Sequence, residues 1–131
     1  MGEVRRLAGD PPSPYETAFG FSRVVLAAGF ALIGGTTSVG PAGAVLGDTP
    51  YDQTLEILRR ILHEFSRAGV MPEDVVSLRV YVTDIARSEE VGRAFSEVLG
   101  AVKPLMTMVE VSSLIDPRMW VEIEATAVLP S

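Results

Sequence analysis

Lys103-Pro104-Leu105-Met106-Thr107-Met108-Val109-Glu110-Val111, then Asp116-Pro117-Arg118, then Trp120-Val121-Glu122-Ile123-Glu124-Ala125-Thr126-Ala127-Val128 make up the most informative part of the chain. The run reads as two strands joined by a short turn. In the second strand Val121, Ile123, Ala125 and Ala127 alternate with Glu122, Glu124 and Thr126, which is the period of a half-buried strand. The alternation sets two carboxylates on one face, open to a solvated edge or a polar pocket. Glu122 and Glu124 are therefore the first candidates for acid–base work.

Upstream, residues 75–85 read as another strand. Val76, Leu78, Val80 and Val82 make its apolar face, and Ser77, Arg79, Tyr81 and Thr83 the other. Two helical patterns flank it. Thr49-Pro50 opens the first, with Thr49 as N-cap, Pro50 at the first helical position and Asp52 in the first turn; Gly69 closes it. Tyr51, Leu55, Leu58, Leu62 and Phe65 fall on one face, with Ile61 and Ala68 beside them. Asp52, Gln53, Glu56, Arg59, Arg60, His63, Glu64 and Arg67 are expected mostly outside. Ser88 is expected to cap the second helix, whose stripe is Val91, Ala94, Phe95, Val98 and Leu99, with Gly100 at its end.

Towards the N-terminus, residues 22–28 and 30–36 read as antiparallel strands around a tight turn at Ala28-Gly29. Gly34-Gly35 at the end of the second permits close approach of a backbone or a ligand. Residues 39–47 form a surface loop. Pro11, Pro12 and Pro14 make residues 9–14 a stiff loop that delivers Tyr15 and Glu16 to a fixed place. Residues 4–7 suit a short edge strand. The order is β-β-β-α-β-α-β-β: an α+β fold over residues 1–131, with a six-stranded mixed sheet and two helices on one face. The other face presents Tyr81, Leu105, Val109 and Trp120, and self-association would cover it.

Bulk properties narrow the function. Hydrophobic residues make up 47% of the 131, enough for one domain with a sizeable core. The apolar run at residues 24–35 is too short to span a bilayer, no charged n-region precedes a hydrophobic segment, and a cytoplasmic location is expected. The absence of cysteine excludes disulfides, thiolate catalysis and cysteine-ligated metals. No cluster has ligand spacing, so neither metal nor cofactor is expected. A net charge of -6 with scattered basic residues argues against a nucleic-acid partner.

Several features together resemble the RidA/YjgF family of reactive-intermediate deaminases, some of whose members carry endoribonuclease (L-PSP) labels. They are Pro14-Tyr15, Gly34-Gly35, Asp52-Gln53, Ala68-Gly69, Asp74-Val75-Val76, Arg79-Val80-Tyr81-Val82-Thr83-Asp84, Val109-Glu110-Val111-Ser112-Ser113-Leu114 and Val121-Glu122-Ile123-Glu124-Ala125. The resemblance implies a chorismate mutase-like fold and a homotrimer with a central barrel. Small-molecule pockets would lie in the clefts between subunits. It also implies hydrolysis of imines or enamines derived from amino acids, with an arginine in a Pro-Ala-Arg-Ser signature clamping the substrate carboxylate. The corresponding run here is Pro104-Leu105-Met106-Thr107, with Met106 in the arginine position. A guanidinium makes two charge-assisted bonds to a carboxylate, each worth roughly 1.5–3 kcal/mol; methionine offers a flexible apolar surface instead.

By this resemblance the ligand-binding candidates are Tyr15, Gly35, Arg79, Met106 and Glu122, and the catalytic candidate is Glu122, which would hold or activate water. Glu122 is otherwise a glutamate on the polar face of an edge strand or paired with a base. Arg79 either supplies the charge that Met106 lacks or pairs across strands with Glu122 or Glu124. Tyr15 lines the cleft or packs on a neighbouring subunit. Glu124 is expected to be structural, Arg118 solvated and His63 exposed. Three functional expectations follow: a trimer binding a small metabolite without family-type imino-acid deamination, a hydrolase for a different imine or enamine using Glu122 and a bound water, or a purely structural trimer or partner-binding module, with a nuclease ranked last.

Overall fold

A computed structural model describes residues 2–130. At its centre lies β6 (Val121–Val128), hydrogen-bonded on both sides, between β3 (Phe30–Thr36) and β4 (Val75–Val82). The alternation holds residue by residue: Val121, Ile123, Ala125 and Ala127 are buried, and Glu122, Glu124 and Thr126 half-buried. With β1 (Arg5–Leu7), β2 (Val24–Ala27) and β5 (Leu105–Glu110), the sheet has the order β1-β2-β3-β6-β4-β5. Every pair is antiparallel except β4 with β5. Two long helices, α2 (Pro50–Arg67) and α3 (Ser88–Leu99), complete the mixed α+β architecture expected from the sequence.

The two C-terminal strands are not a hairpin. β5 lies beside β4 on the side opposite β6, so residues 111–120 cross the end of β4. Crossing one strand means moving two strand spacings, roughly 10 Å, which no tight turn achieves. Backbone bonds seat the crossing: Val111 N donates to Val82 O at 2.8 Å, and Thr83 N to Trp120 O at 3.1 Å. Gln53 completes the seat. Its Oε1 accepts from Trp120 N at 2.7 Å, and its Nε2 donates to Arg118 O at 2.9 Å and Gly47 O at 3.1 Å. Gln53 is therefore buried and not on an outer helix face, because it satisfies three backbone groups that water cannot reach freely.

Other expectations shift by one position or one turn. The buried stripe of α2 is Thr54, Ile57, Leu58, Ile61 and Phe65, with Glu64 also inside, while Tyr51, Leu55 and Leu62 are half-buried. In β4 a bulge between Val75 and Ser77 turns Val75 inward and leaves Val76 exposed. Ser88 is the first residue of α3 and not its cap. A single 3-10 turn (Ile85–Arg87) precedes it, capped by Asp84 Oδ1 accepting from Ala86 N at 3.1 Å. Trp120 packs against the core under the Arg87 guanidinium, 4.6 Å from the ring centroid, and so leaves the open sheet face. The turn between β2 and β3 is as tight as expected, with Ala28 at φ 52 and Gly29 at φ 83, a type I′ pattern.

A short helix not expected from the sequence, α1 (Pro14–Phe19), begins at the end of the proline loop and carries Tyr15 and Glu16. Ser13 and Glu16 form a capping box: Glu16 N donates to Ser13 Oγ at 3.4 Å and Ser13 N to Glu16 Oε2 at 2.7 Å. Gly20, at φ 81, ends the helix.

Gln53→Ala removes the partners of three backbone groups and leaves a small void. We expect a loss of about 2–4 kcal/mol in chemical denaturation, with an unchanged denaturant slope. A loss under about 0.5 kcal/mol would show that the crossing is held by other contacts.

Candidate functional site

A cavity of about 360 Å³ opens where α1, the start of β2, the end of β3 and one side of α2 meet Glu122 of β6. The proline loop and α1 carry Glu16 beneath it. Glu16 is buried, and its carboxylate accepts from Gly9 N at 2.8 Å, Ser13 N at 2.7 Å and Arg23 Nη2 at 3.2 Å. Arg23 also donates through Nη1 to Thr36 Oγ1 at 2.8 Å and Gly35 O at 3.2 Å, and through Nη2 to Ser13 Oγ at 3.5 Å. Burial pushes the Glu16 carboxyl up, but the Ser13 and Gly9 N–H groups and the Arg23 charge outweigh it and hold the group below its ordinary value. The pair ties α1 to the end of β3.

Glu122 has the opposite surroundings. The β3–β6 register shifts between Ile33 and Thr36, and the shift leaves Gly35 facing the Glu122 side chain. A Cβ on Gly35 would stand 2.5 Å from Glu122 Oε2 and 2.9 Å from its Cδ. The close approach expected at the glycine pair is thus made by a carboxyl group, and only at Gly35; Gly34 has open space. Burial pushes the Glu122 carboxyl up; Arg23 opposes this and the Glu124 charge reinforces it. No hydrogen bond from the described residues reaches that carboxyl.

Tyr15, Gly35 and Glu122 therefore share one cavity, with Tyr15 stacked near Phe19 at a centroid distance of 5.7 Å. Arg79 and Met106 do not line it. Arg79, its side chain 70% exposed, lies across from Glu124 with a nitrogen 3.9 Å from the carboxylate, and Tyr81 donates to the same carboxylate at 2.6 Å. Glu124 is held by that cross-strand group. Met106 sits on β5, at the far edge of the sheet and two strands from β6. His63 is at the cavity rim, 3.7 Å from Asp10. Arg118 pairs with Asp116 at 2.7 Å and reaches Gly43 O at 3.3 Å; its hydrogen bonds hold the Asp116 carboxyl down to about 2. Among the described residues, no group of three or more His, Cys, Asp or Glu side chains could hold a metal ion, and no helix is long and apolar enough to cross a membrane.

Arg23, absent from the sequence-based candidates, shapes the cavity floor. Its signal is a lone arginine directly ahead of the apolar run Val24-Val25-Leu26-Ala27. Glu16 carried a clearer one, as the fourth residue of a Ser-x-x-Glu capping box. Arg60 was placed outside, yet it donates to Thr37 O at 3.1 Å and to Val39 O, holding the loop after β3 against α2.

The family model described as Endoribonuclease L-PSP matches residues 13–129. An uncharacterised protein of Streptomyces coelicolor, SCO2049, is 34% identical over 127 residues, covering 95% of this chain and 91% of its own. A RutC family protein of Pyrococcus horikoshii, PH0854, is 31% identical over 109 residues, covering 82% of this chain and 85% of its own. Among solved structures, Rv2704 of Mycobacterium tuberculosis, described as a member of the YjgF/YER057c/UK114 family, superposes with a TM-score of 0.85 at 38% identity. That match covers 97% of this chain and 100% of the other.

The raised Glu122 carboxyl makes a signed prediction. The folded chain holds this proton more tightly than the unfolded chain, so the stabilisation is complete below the ordinary value of 4.5 and is lost as pH rises through the raised value. Glu122→Gln keeps the shape and removes the titration. Relative to wild type it should be stabilising near pH 8, and this advantage should shrink steadily and disappear below the ordinary carboxylate range. Thermal unfolding of both proteins across pH reads this directly; a pH-independent difference would remove the burial account.

Proposed function

Because the chain belongs to the Endoribonuclease L-PSP family, which is the family of the RutC and YjgF proteins, we propose that it binds a small metabolite in clefts between three copies of itself. The carrying observation is the cavity that brings Tyr15, Gly35 and Glu122 together. A volume near 360 Å³ suits a metabolite-sized ligand. The trimer is supported by the exposed apolar side chains of the sheet and its edge: Leu105, which is 74% exposed, with Val109, Met106, Val76 and Leu32. An edge strand carrying such side chains is covered in most stable proteins. In the proposed assembly β5 of one copy closes the cleft of the next, and Met106 faces Glu122 across it.

Met106 sets the expected chemistry. With no guanidinium at that position, an imino acid loses the bidentate contact to its carboxylate, and family-type imino-acid deamination should be weak. A second reading is supported by the Glu122 carboxyl, which no donor occupies. It suits hydrolysis of a different imine: Glu122 takes a proton from water as its oxygen bonds to the C=N carbon. Glu122 returns that proton to the nitrogen, the C–N bond breaks to release the amine, and the adduct's hydroxyl proton passes to the released amine as the carbonyl forms. A net charge of -6 argues against a nucleic-acid substrate.

Sedimentation should give a trimer; a monomer would remove the cleft. In assays of 2-aminoacrylate hydrolysis the wild type should stay near background. Met106→Arg should gain at least about tenfold, the return from one good charge-assisted contact. Wild-type turnover at or above that of the variant would overturn the role given to Met106.

A further inference from the structure

We infer that the cavity beside Glu122 selects a ligand with a protonated nitrogen head, an amine or iminium, on an apolar body of aromatic size, and turns carboxylates away. The inference rests on the reading of this cavity as a small-molecule site and names the ligand class it takes.

Most of the charges that line the cavity are paired within the chain. Three arginines are there, and each pairs with a glutamate of the same chain. Both terminal nitrogens of Arg23 are engaged, Nη1 with Thr36 Oγ1 and Gly35 O, Nη2 with Glu16 Oε2 and Ser13 Oγ. Glu16 thus holds the seat that a ligand carboxylate would need, and it holds it with two backbone N–H groups of its own. Arg59 grips both oxygens of Glu56, at 3.0 and 2.7 Å. Arg60 shares Glu56 at 2.6 Å and spends Nη1 on the Thr37 and Val39 carbonyls.

The acids divide differently. Glu16 is paired as above, and Glu64 accepts from Asp10 N at 2.8 Å and from Arg67. Asp10 and His63 stand together at the rim. Glu122 alone of the cavity glutamates has no donor among the described residues. A half-buried carboxylate without a donor gives up part of its hydration with nothing in return, and a ligand N–H group offsets that loss. A ligand carboxylate would face Glu122, and the two arginines left towards the opening, Arg59 and Arg60, already share the Glu56 carboxylate.

The walls agree with this head group. Tyr15, Phe19 and Phe21 present aromatic faces, and Ile33 and Ile115 fill the remaining sides. Phe19, Phe21 and Ile115 are exposed although large and apolar, and they gather at this cavity. Aromatic faces attract a cation as well as an apolar ring. The position facing the cleft in the proposed assembly, Met106, is apolar too.

Three probes of one shape test the head group on the full-length protein at pH 8: benzylamine, benzyl alcohol and benzoate. Titration calorimetry should show benzylamine at least about tenfold tighter than either of the others. Glu122→Gln should weaken benzylamine about tenfold and leave benzyl alcohol unchanged. Benzoate binding as well as benzylamine, or an amine affinity indifferent to Glu122→Gln, overturns the inference. If such binding is still lost in Tyr15→Ala, the small-molecule site itself stands. If none of the three binds at about 10 mM, both the inference and the small-molecule reading fall.

Discussion

β6 is bonded along both edges, and the rest of the molecule depends on that constraint. A strand with neighbours on both sides cannot slip by one residue without exchanging its two faces. The face carrying Val121, Ile123, Ala125 and Ala127 forms part of the core, so Glu122 and Glu124 lie on the opposite face of the strand. The same pairing sets Glu124 opposite Arg79 and Glu122 opposite Tyr81. It also places Glu122 at the irregularity in β3, where Gly35, lacking a Cβ, gives its carboxyl room. Core and site are two faces of one register.

Around that strand the cavity separates two carboxyls by environment. Glu16 is held low by backbone donors and Arg23 despite its burial, whereas Glu122, half-buried and without a donor among the described residues, is pushed up by that partial burial. Groups with divergent proton affinities in one cleft are the arrangement that acid–base and ligand-binding sites use. Arg23 links them physically, since it bonds Glu16 and the Gly35 carbonyl while its charge reaches Glu122. The internal pair is fully satisfied, and that leaves Glu122 as the group free to answer a ligand.

Much of this was legible because it is local. The β6 alternation, the Thr49-Pro50 helix start, the type I′ turn at Ala28-Gly29 and the close approach at Gly35 are all matters of backbone chemistry within a few residues. The misreadings have a common cause in long-range satisfaction. Gln53 and Glu64 look like outer helix residues by type, but distant backbone groups draw them inside. Val76 fits the apolar face by period, but a bulge against β6 gives that place to Val75. The α1 helix was the exception, since its capping box, Ser13 to Glu16, was written locally and passed over.

The amino-acid sequence by itself determined most of the elements, the α+β class and the two faces of β6, because each depends on residue type and short spacing. Only the tertiary structure decided that β5 and β6 flank β4 and do not pair with each other. It also decided that Arg23 joins Tyr15, Gly35 and Glu122 while Arg79 and Met106 stand apart in the single chain. Strand order is settled by which buried backbone groups find partners across the whole sheet. A charge ledger is settled by which side chains meet there. Neither quantity is carried by any one stretch of the chain.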